Sequence, residues 1–413
     1  MITLDDVRRA YLPQKKHIRP TPLFPSDALH RATGCLVWLK AENLQRTGSF
    51  KIRGATSRLA LLSPEERHHG VVAASAGNHA QGVALAASLE HVSATIVMPQ
   101  DSPIIKSEQT QEDKADVLLV EGGIEEALAR AHQLEAERKL VFIHPFDDPW
   151  IQAGQGSVGL EILADLRQVD TVVVPVGGGG LVSGIAVAVR EEKPDVKIFG
   201  VQAEGADPAR QSLREGRLVR LARAVTMADG IRVRTVAQST LDVMKRYLED
   251  VVTVTDEQLS RAMAWLLEKE KLVVEGAGAA GVAALLAGRL PPDTGSTVIV
   301  LSGGNADTNQ LARVIERGLA AVGRYVLLRV RIPDRPGYLK GVLDVVAARR
   351  ANILDIVHYR TGWHVPLGQV AVEMLLETRH PEHGNQIAAS LREKGLSARL
   401  WDRNAYGERT GDD

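Results

Sequence analysis

Lys51 lies in the run Thr47-Gly48-Ser49-Phe50-Lys51-Ile52-Arg53-Gly54-Ala55, at the start of an apolar helical pattern. An ammonium in the first turn opposes the helix dipole, and between Phe50 and Ile52 it adds little to solubility. A desolvated lysine has a depressed pKa and can form a Schiff base with a carbonyl compound. The plainer reading is an exposed lysine whose stem lies on apolar surface while its head reaches water.

Three other junctions have residue types suited to holding a ligand. In Val174-Pro175-Val176-Gly177-Gly178-Gly179-Gly180-Leu181, four glycines follow a strand pattern and open a helical one. Without Cβ atoms such a backbone can wrap an anion closely, so phosphate is the expected guest. The alternative is a tight strand-to-helix turn, and the run is neither a dinucleotide fingerprint nor a Walker loop. In Ser75-Ala76-Gly77-Asn78-His79, small residues with open N–H groups suit a carboxylate, and the Asn78 amide suits an oxygen. A simple N-cap by Ser75 or Asn78 explains the same pattern. In Ser302-Gly303-Gly304-Asn305, Ser302 can donate to or accept from a ring nitrogen, or the segment is only a turn.

Such junctions need a scaffold that brings them together. Short β-branched runs (36–39, 71–74, 94–98, 117–120, 171–174 and 297–301) alternate with helical patterns (48–62, 78–89, 124–139 and 180–192). Repeated β-then-α units predict an open, parallel α/β sheet with helices on both faces, and ligands then bind where strands end and helices begin. After a helix running to about Ala321 the pattern changes. Strand 325–332, helix 336–349, strands 352–358 and 368–376, helix 381–394 and strand 397–401 give the ferredoxin-like order βαββαβ. The expected division is 1–321, with a smaller subdomain at about 48–148 inserted in a larger one, then 324–403, then a polar tail at 404–413.

Composition narrows the function. The 413 residues are 45% hydrophobic and 24% charged, ordinary globular usage, and the formal charge of −1 disfavours nucleic acid and anionic membrane surfaces as partners. One cysteine, Cys35, excludes an internal disulfide and a cysteine zinc cluster. The first residues mix acids and bases without an apolar core, and the longest apolar stretches read as buried core, so the expectation is a cytoplasmic, non-membrane protein.

Taken together, in their order and spacing, the four segments resemble the threonine dehydratases (threonine ammonia-lyases) of the tryptophan-synthase-β-like class of pyridoxal phosphate enzymes. The resemblance covers most of residues 15–320. It implies pyridoxal 5′-phosphate as cofactor and Lys51 as the catalytic Schiff-base residue and base. It implies that Phe50, Lys51, Asn78, Gly177, Gly178, Gly179, Gly180, Leu181 and Ser302 bind the cofactor. Asn78 would face its 3′-oxygen and Ser302 its pyridine nitrogen. The loop Ser75, Ala76, Gly77, Asn78 and His79 would take the substrate carboxylate. The implied reaction is β-elimination from L-threonine to 2-oxobutanoate and ammonia, with L-serine giving pyruvate more slowly.

Similar serine racemases have a serine where this chain has Ala76, so weak racemisation is expected. Glu204 and Asp207, near a cation site of some relatives, do not match it in register, and no metal is assigned. Residues 324–403 resemble an ACT-type regulatory domain, with Asp334-Arg335-Pro336-Gly337 at its first strand-to-helix turn. A branched-chain amino acid (isoleucine or valine) is the effector this implies, and a homodimer or homotetramer the assembly. An assembly role alone for this module, a preference for L-serine or another 3-hydroxyamino acid, and a non-catalytic amino-acid sensor remain as alternatives.

Overall fold

The computed structural model describes residues 1–102, 110–321, 323–360 and 366–401, so the expected polar tail at 404–413 lies outside the described residues. Strands apolar on both faces need helices on both, and the chain supplies them. Strand β1 is Leu23–Pro25, β2 Leu36–Ala41, β3 Val71–Ala74, β4 Ala94–Pro99, β5 Asp116–Val120 and β6 Val141–Phe142. Strand β7 is Thr171–Pro175, β8 Lys197–Ala203, β9 Asp250–Val254 and β10 Ser296–Leu301. Every residue of β3 and of β7 is buried, as parallel strands covered on both faces require.

Two sheets result. The larger has the order β1-β2-β10-β7-β8-β9, parallel except for the antiparallel edge strand β1. The smaller has the order β5-β4-β3-β6 and is parallel throughout. Its strands lie, in sequence, between β2 and β7, within the span 48–148. Val172, Val174, Ile185 and Val298 belong to the core of the larger sheet, and Ile52, Val71, Val83 and Ile96 to that of the smaller. The loops after β3, β7 and β10 all leave the carboxyl ends of parallel strands, where backbone amides are unpaired and helices begin.

One helix begins later than the sequence pattern suggests. Thr47 and Gly48 are left-handed, with φ of 60° and 68°, and Ser49 is extended, so the helix starts at Lys51 and runs to Ala60. The chain divides into two compact units, Met1–Asp307 and Thr308–Asp413. The helix Thr308–Ala321 therefore groups with the second unit, whereas the expected boundary was 321.

In that second unit, β11 (Tyr325–Pro333), helix Tyr338–Ala348, β12 (Asn352–Tyr359), β13 (Gln369–Glu377), helix Pro381–Glu393 and β14 (Ser397–Trp401) follow one another. They form an antiparallel sheet of order β12-β13-β11-β14, the split βαβ arrangement. Val330, Val342, Val372 and Leu391 lie in its core.

Candidate active site

Lys51 is the first residue of its helix. Its Nζ donates to the carbonyl of Pro145 at 2.9 Å and lies 5.1 Å from the centre of the Phe50 ring. Burial around the ammonium pulls its pKa from 10.5 down to about 8, against an opposing pull from the Glu275 carboxylate. The outcome is a lysine of which about a tenth is free amine at neutral pH, far more than for a solvated lysine, which is what an amine that captures a carbonyl or removes a proton needs.

The position of Lys51 is held from behind. Arg53, fully buried, donates from Nε and Nη2 to both oxygens of Glu42 at 2.7 Å. It also donates to Glu161 at 2.7 and 2.8 Å and to Ser157 Oγ at 3.0 Å. Lys40, also fully buried, donates to Glu161 at 2.7 Å and to the carbonyl of Thr21 at 2.8 Å. Burial opposes the charge on Glu161, but hydrogen bonds and charge from Arg53 and Lys40 outweigh it and hold the carboxyl below its ordinary pKa. The network ties the lysine's helix to β2 and to the helix Ser157–Asp165.

Asn78 opens the helix Asn78–Leu89 directly after the small-residue loop. Among the described residues no backbone carbonyl takes the N–H groups of Ala76, Asn78 or His79, and a Cβ added at Gly77 would meet nothing within 4 Å. The loop thus offers open amides to an anion. The ring of His79 is buried and turned away, its Nε2 bonded to the carbonyl of Ile143 at 2.8 Å. Burial, together with the charge of Lys51, lowers its pKa to about 3, so the imidazole stays neutral and leaves the loop its backbone N–H.

In the glycine run, the N–H groups of Gly178–Leu181 are likewise without a backbone carbonyl partner among the described residues. They open the helix Gly180–Glu192, whose dipole favours an anion. The glycines are needed for fit. A Cβ at Gly178 would lie 2.2 Å from the Phe146 ring, and Gly179 has a φ of 93° with Thr240 packed against it. Thr240 Oγ1 donates to the Gly178 carbonyl at 2.9 Å and fixes the turn.

Ser302 is buried just beyond β10, its carbonyl accepting the N–H of Phe50 at 3.2 Å. Gly304 N–H donates to the Gly48 carbonyl at 2.8 Å, so the serine and lysine loops are joined through their backbones.

Two residues assigned no role from sequence complete the site. Glu275, buried ahead of the helix Gly276–Leu286, accepts from Asn78 Nδ2 at 2.6 Å. Asn305 Nδ2 lies 2.6 Å from the Thr47 carbonyl, 2.7 Å from Asn78 Oδ1 and 2.8 Å from Gln81 Oε1. The sequence signal for Glu275 was a lone carboxylate before an otherwise wholly apolar helix, a position where an acid is seldom buried without a purpose.

The residues fit a phosphate-bearing carbonyl cofactor. Lys51 is a poised amine, open amides stand at a helix start, and the hydroxyls of Thr47 and Ser49 are buried with no partner among the described residues. A family described as "Pyridoxal-phosphate dependent enzyme" matches residues 14–303.

The chain belongs to the pyridoxal-phosphate dependent enzymes.

Within this family the chain is 46% identical over 400 residues to the L-threonine ammonia-lyase of Thermotoga maritima, covering 97% of this chain and all of the relative. It resembles the structure of maize serine racemase at a TM-score of 0.73 and 33% identity, over 78% of this chain and 98% of that one. It also resembles the processed form of tomato (Solanum lycopersicum) threonine deaminase isoform 2 at 0.72 and 34%, over 76% and 93%. This pyridoxal-phosphate enzyme has, among its described residues, no group of three or more His, Cys, Asp or Glu placed to hold a metal ion and no helix long and apolar enough to cross a membrane. Glu204 is exposed and Asp207 accepts from Gln211 Nε2.

Proposed function

We propose that the chain is a cytoplasmic L-threonine ammonia-lyase that converts L-threonine to 2-oxobutanoate and ammonia. The observation that carries this reading is a likeness running the full length of the Thermotoga enzyme, second unit included. Pyridoxal phosphate supplies an electron sink for the charge left when the α-proton departs.

The chain's own residues do the rest. Lys51 Nζ takes the α-proton, its low pKa leaving the amine available as a base. The amides of Ala76, Asn78 and His79 would hold the substrate carboxylate, and those of Gly178–Leu181 would hold the phosphate. The Ser302 hydroxyl would hold the pyridine nitrogen. Unlike an aspartate, a neutral serine holds a pyridinium proton weakly, which favours elimination over transamination.

L-Serine is the second substrate, because one methyl group discriminates by only about 1–3 kcal/mol. Ala76 has no proton to deliver from the opposite face, so racemisation is weak. The second unit has the element order of an ACT-type module, and its Asp334–Gly337 turn, where Gly337 has a φ of 93°, is where a branched-chain amino acid would bind in a homodimer or homotetramer.

Steady-state 2-oxo acid release from L-threonine and L-serine side by side, with isoleucine and valine added in turn, tests this. Faster 2-oxobutanoate release, little D-serine and a response to one effector are expected. Preference for serine would overturn the substrate, D-serine formed as fast as pyruvate the role of Ala76, and indifference to both effectors the regulatory reading.

A further inference from the structure

Asn78, which the proposed function places at the cofactor's 3′-oxygen, carries an amide with a donor end and an acceptor end, and only one end suits an anionic oxygen. The fold settles which end is presented. A backbone carbonyl is always an acceptor, so the Asn305 atom 2.6 Å from Thr47 O is its NH2 group. That NH2 group is also 2.7 Å from Asn78, so the Asn78 atom facing it is the acceptor Oδ1. The same orientation follows from the other side. Asn78 Nδ2 lies 2.6 Å from Glu275 Oε1, and an ionised carboxylate accepts only. The line Thr47 carbonyl, Asn305, Asn78, Glu275 is thus fixed in polarity from both ends.

Asn305 has little freedom to depart from this role. Its two amide hydrogens are shared among three oxygens, Gln81 Oε1 at 2.8 Å being the third. Its own oxygen packs so closely on Gly48 that a Cβ there would lie 2.4 Å away. The Thr47 carbonyl it holds belongs to a β-branched residue with a φ of 60°, a conformation that costs about 1–3 kcal/mol and persists only where its surroundings impose it. Asn305 therefore touches both the lysine loop and Asn78 while standing on the loop that carries Ser302.

We propose that Asn305 is a positioning residue of the cofactor site: by occupying Asn78 Oδ1 it commits the Asn78 amide to donating, with one N–H on Glu275 and the other for the cofactor's 3′-oxygen. This rests on the placement of Asn78 at the cofactor. An aspartate at 305 keeps the shape but has no hydrogen to give, so Asn78 turns its NH2 group inward and faces the cofactor with its carbonyl.

The test uses the full chain with N305D, N78A and N305D/N78A. Each is titrated with pyridoxal phosphate while the visible absorption band, its pH midpoint and the melting temperature of the cofactor-free protein are recorded. N305D should weaken cofactor binding tenfold or more and move the band or its midpoint. Added to N78A, it should change binding by less than twofold, because it acts through Asn78. Weakened binding in N78A with none in N305D, or effects that multiply in the double variant, overturns the proposal alone. N78A with unchanged binding and band overturns the placement of Asn78 and the proposal with it. Should N305D fail to fold, N305S in the same two backgrounds gives the same comparison with the same deciding outcomes.

Discussion

Lys51 titrates at about 8 in the folded chain and at 10.5 when unfolded, because folding strips water from its ammonium. Between those values the unfolded chain binds the extra proton, so the stability of the cofactor-free protein should rise with pH through that window. The same shift sets reactivity. Capture of pyridoxal phosphate by the cofactor-free protein should speed up with pH to a midpoint near 8, measured by stopped-flow absorbance. A midpoint above 10 would mean the lysine is solvated. Gly178 makes a steric prediction. Its alanine variant drives a Cβ into the Phe146 ring and should cost about 1–3 kcal/mol of stability in urea unfolding, with weaker cofactor binding. The four loops were legible from sequence because open backbone at a ligand demands small residues in runs. Asn305 was visible only as the end of one such run, since its role is set by Thr47 and Asn78, which are 258 and 227 residues away.

At the scale of elements, the short strands β1, β6 and β9 and helices such as Gln238–Tyr247 and Asp256–Trp265 were not read. The strands and helices that were read lie within a few residues of those observed, since buried parallel strands and the helices covering them have distinct apolar patterns. The helix at Lys51 was the exception, because the left-handed pair Thr47–Gly48 interrupts a pattern that otherwise continues through it. The buried charges behind that helix were not readable at all. Arg53 meets Glu42 across 11 residues and Glu161 across 108, and no local spacing announces such a pairing. Among the described residues, removing Glu161 leaves Arg53 with Glu42 as its only carboxylate and Lys40 with only the 3.7 Å contact to Asp165. Glu161→Ala should therefore lose about 3–5 kcal/mol in urea unfolding, with Arg53 and Lys40 left short of a partner. A loss under about 1 kcal/mol would show that water reaches the cluster.

At the scale of the whole molecule, the chain joins a unit that carries the chemistry, Met1–Asp307, to a βαββαβ unit whose core is its own. The change of pattern near residue 324 announced the second unit, but its start at Thr308 was hidden, because the amphipathic helix Thr308–Ala321 reads equally well with either. If the second unit regulates the first, isoleucine or valine should shift the threonine saturation curve of the full chain, with serine turnover shifted in parallel. Inhibition of both substrates that is purely competitive and is fully relieved by excess threonine or serine would place the effector in the active site instead. The central claim, elimination from L-threonine at Lys51, is tested most directly by 2-oxobutanoate release from wild type and Lys51→Ala, both supplied with pyridoxal phosphate. The account predicts steady release from the wild type and a loss of at least about a thousandfold in the variant, in keeping with removal of a catalytic base. Release by the variant within tenfold of the wild type would contradict it.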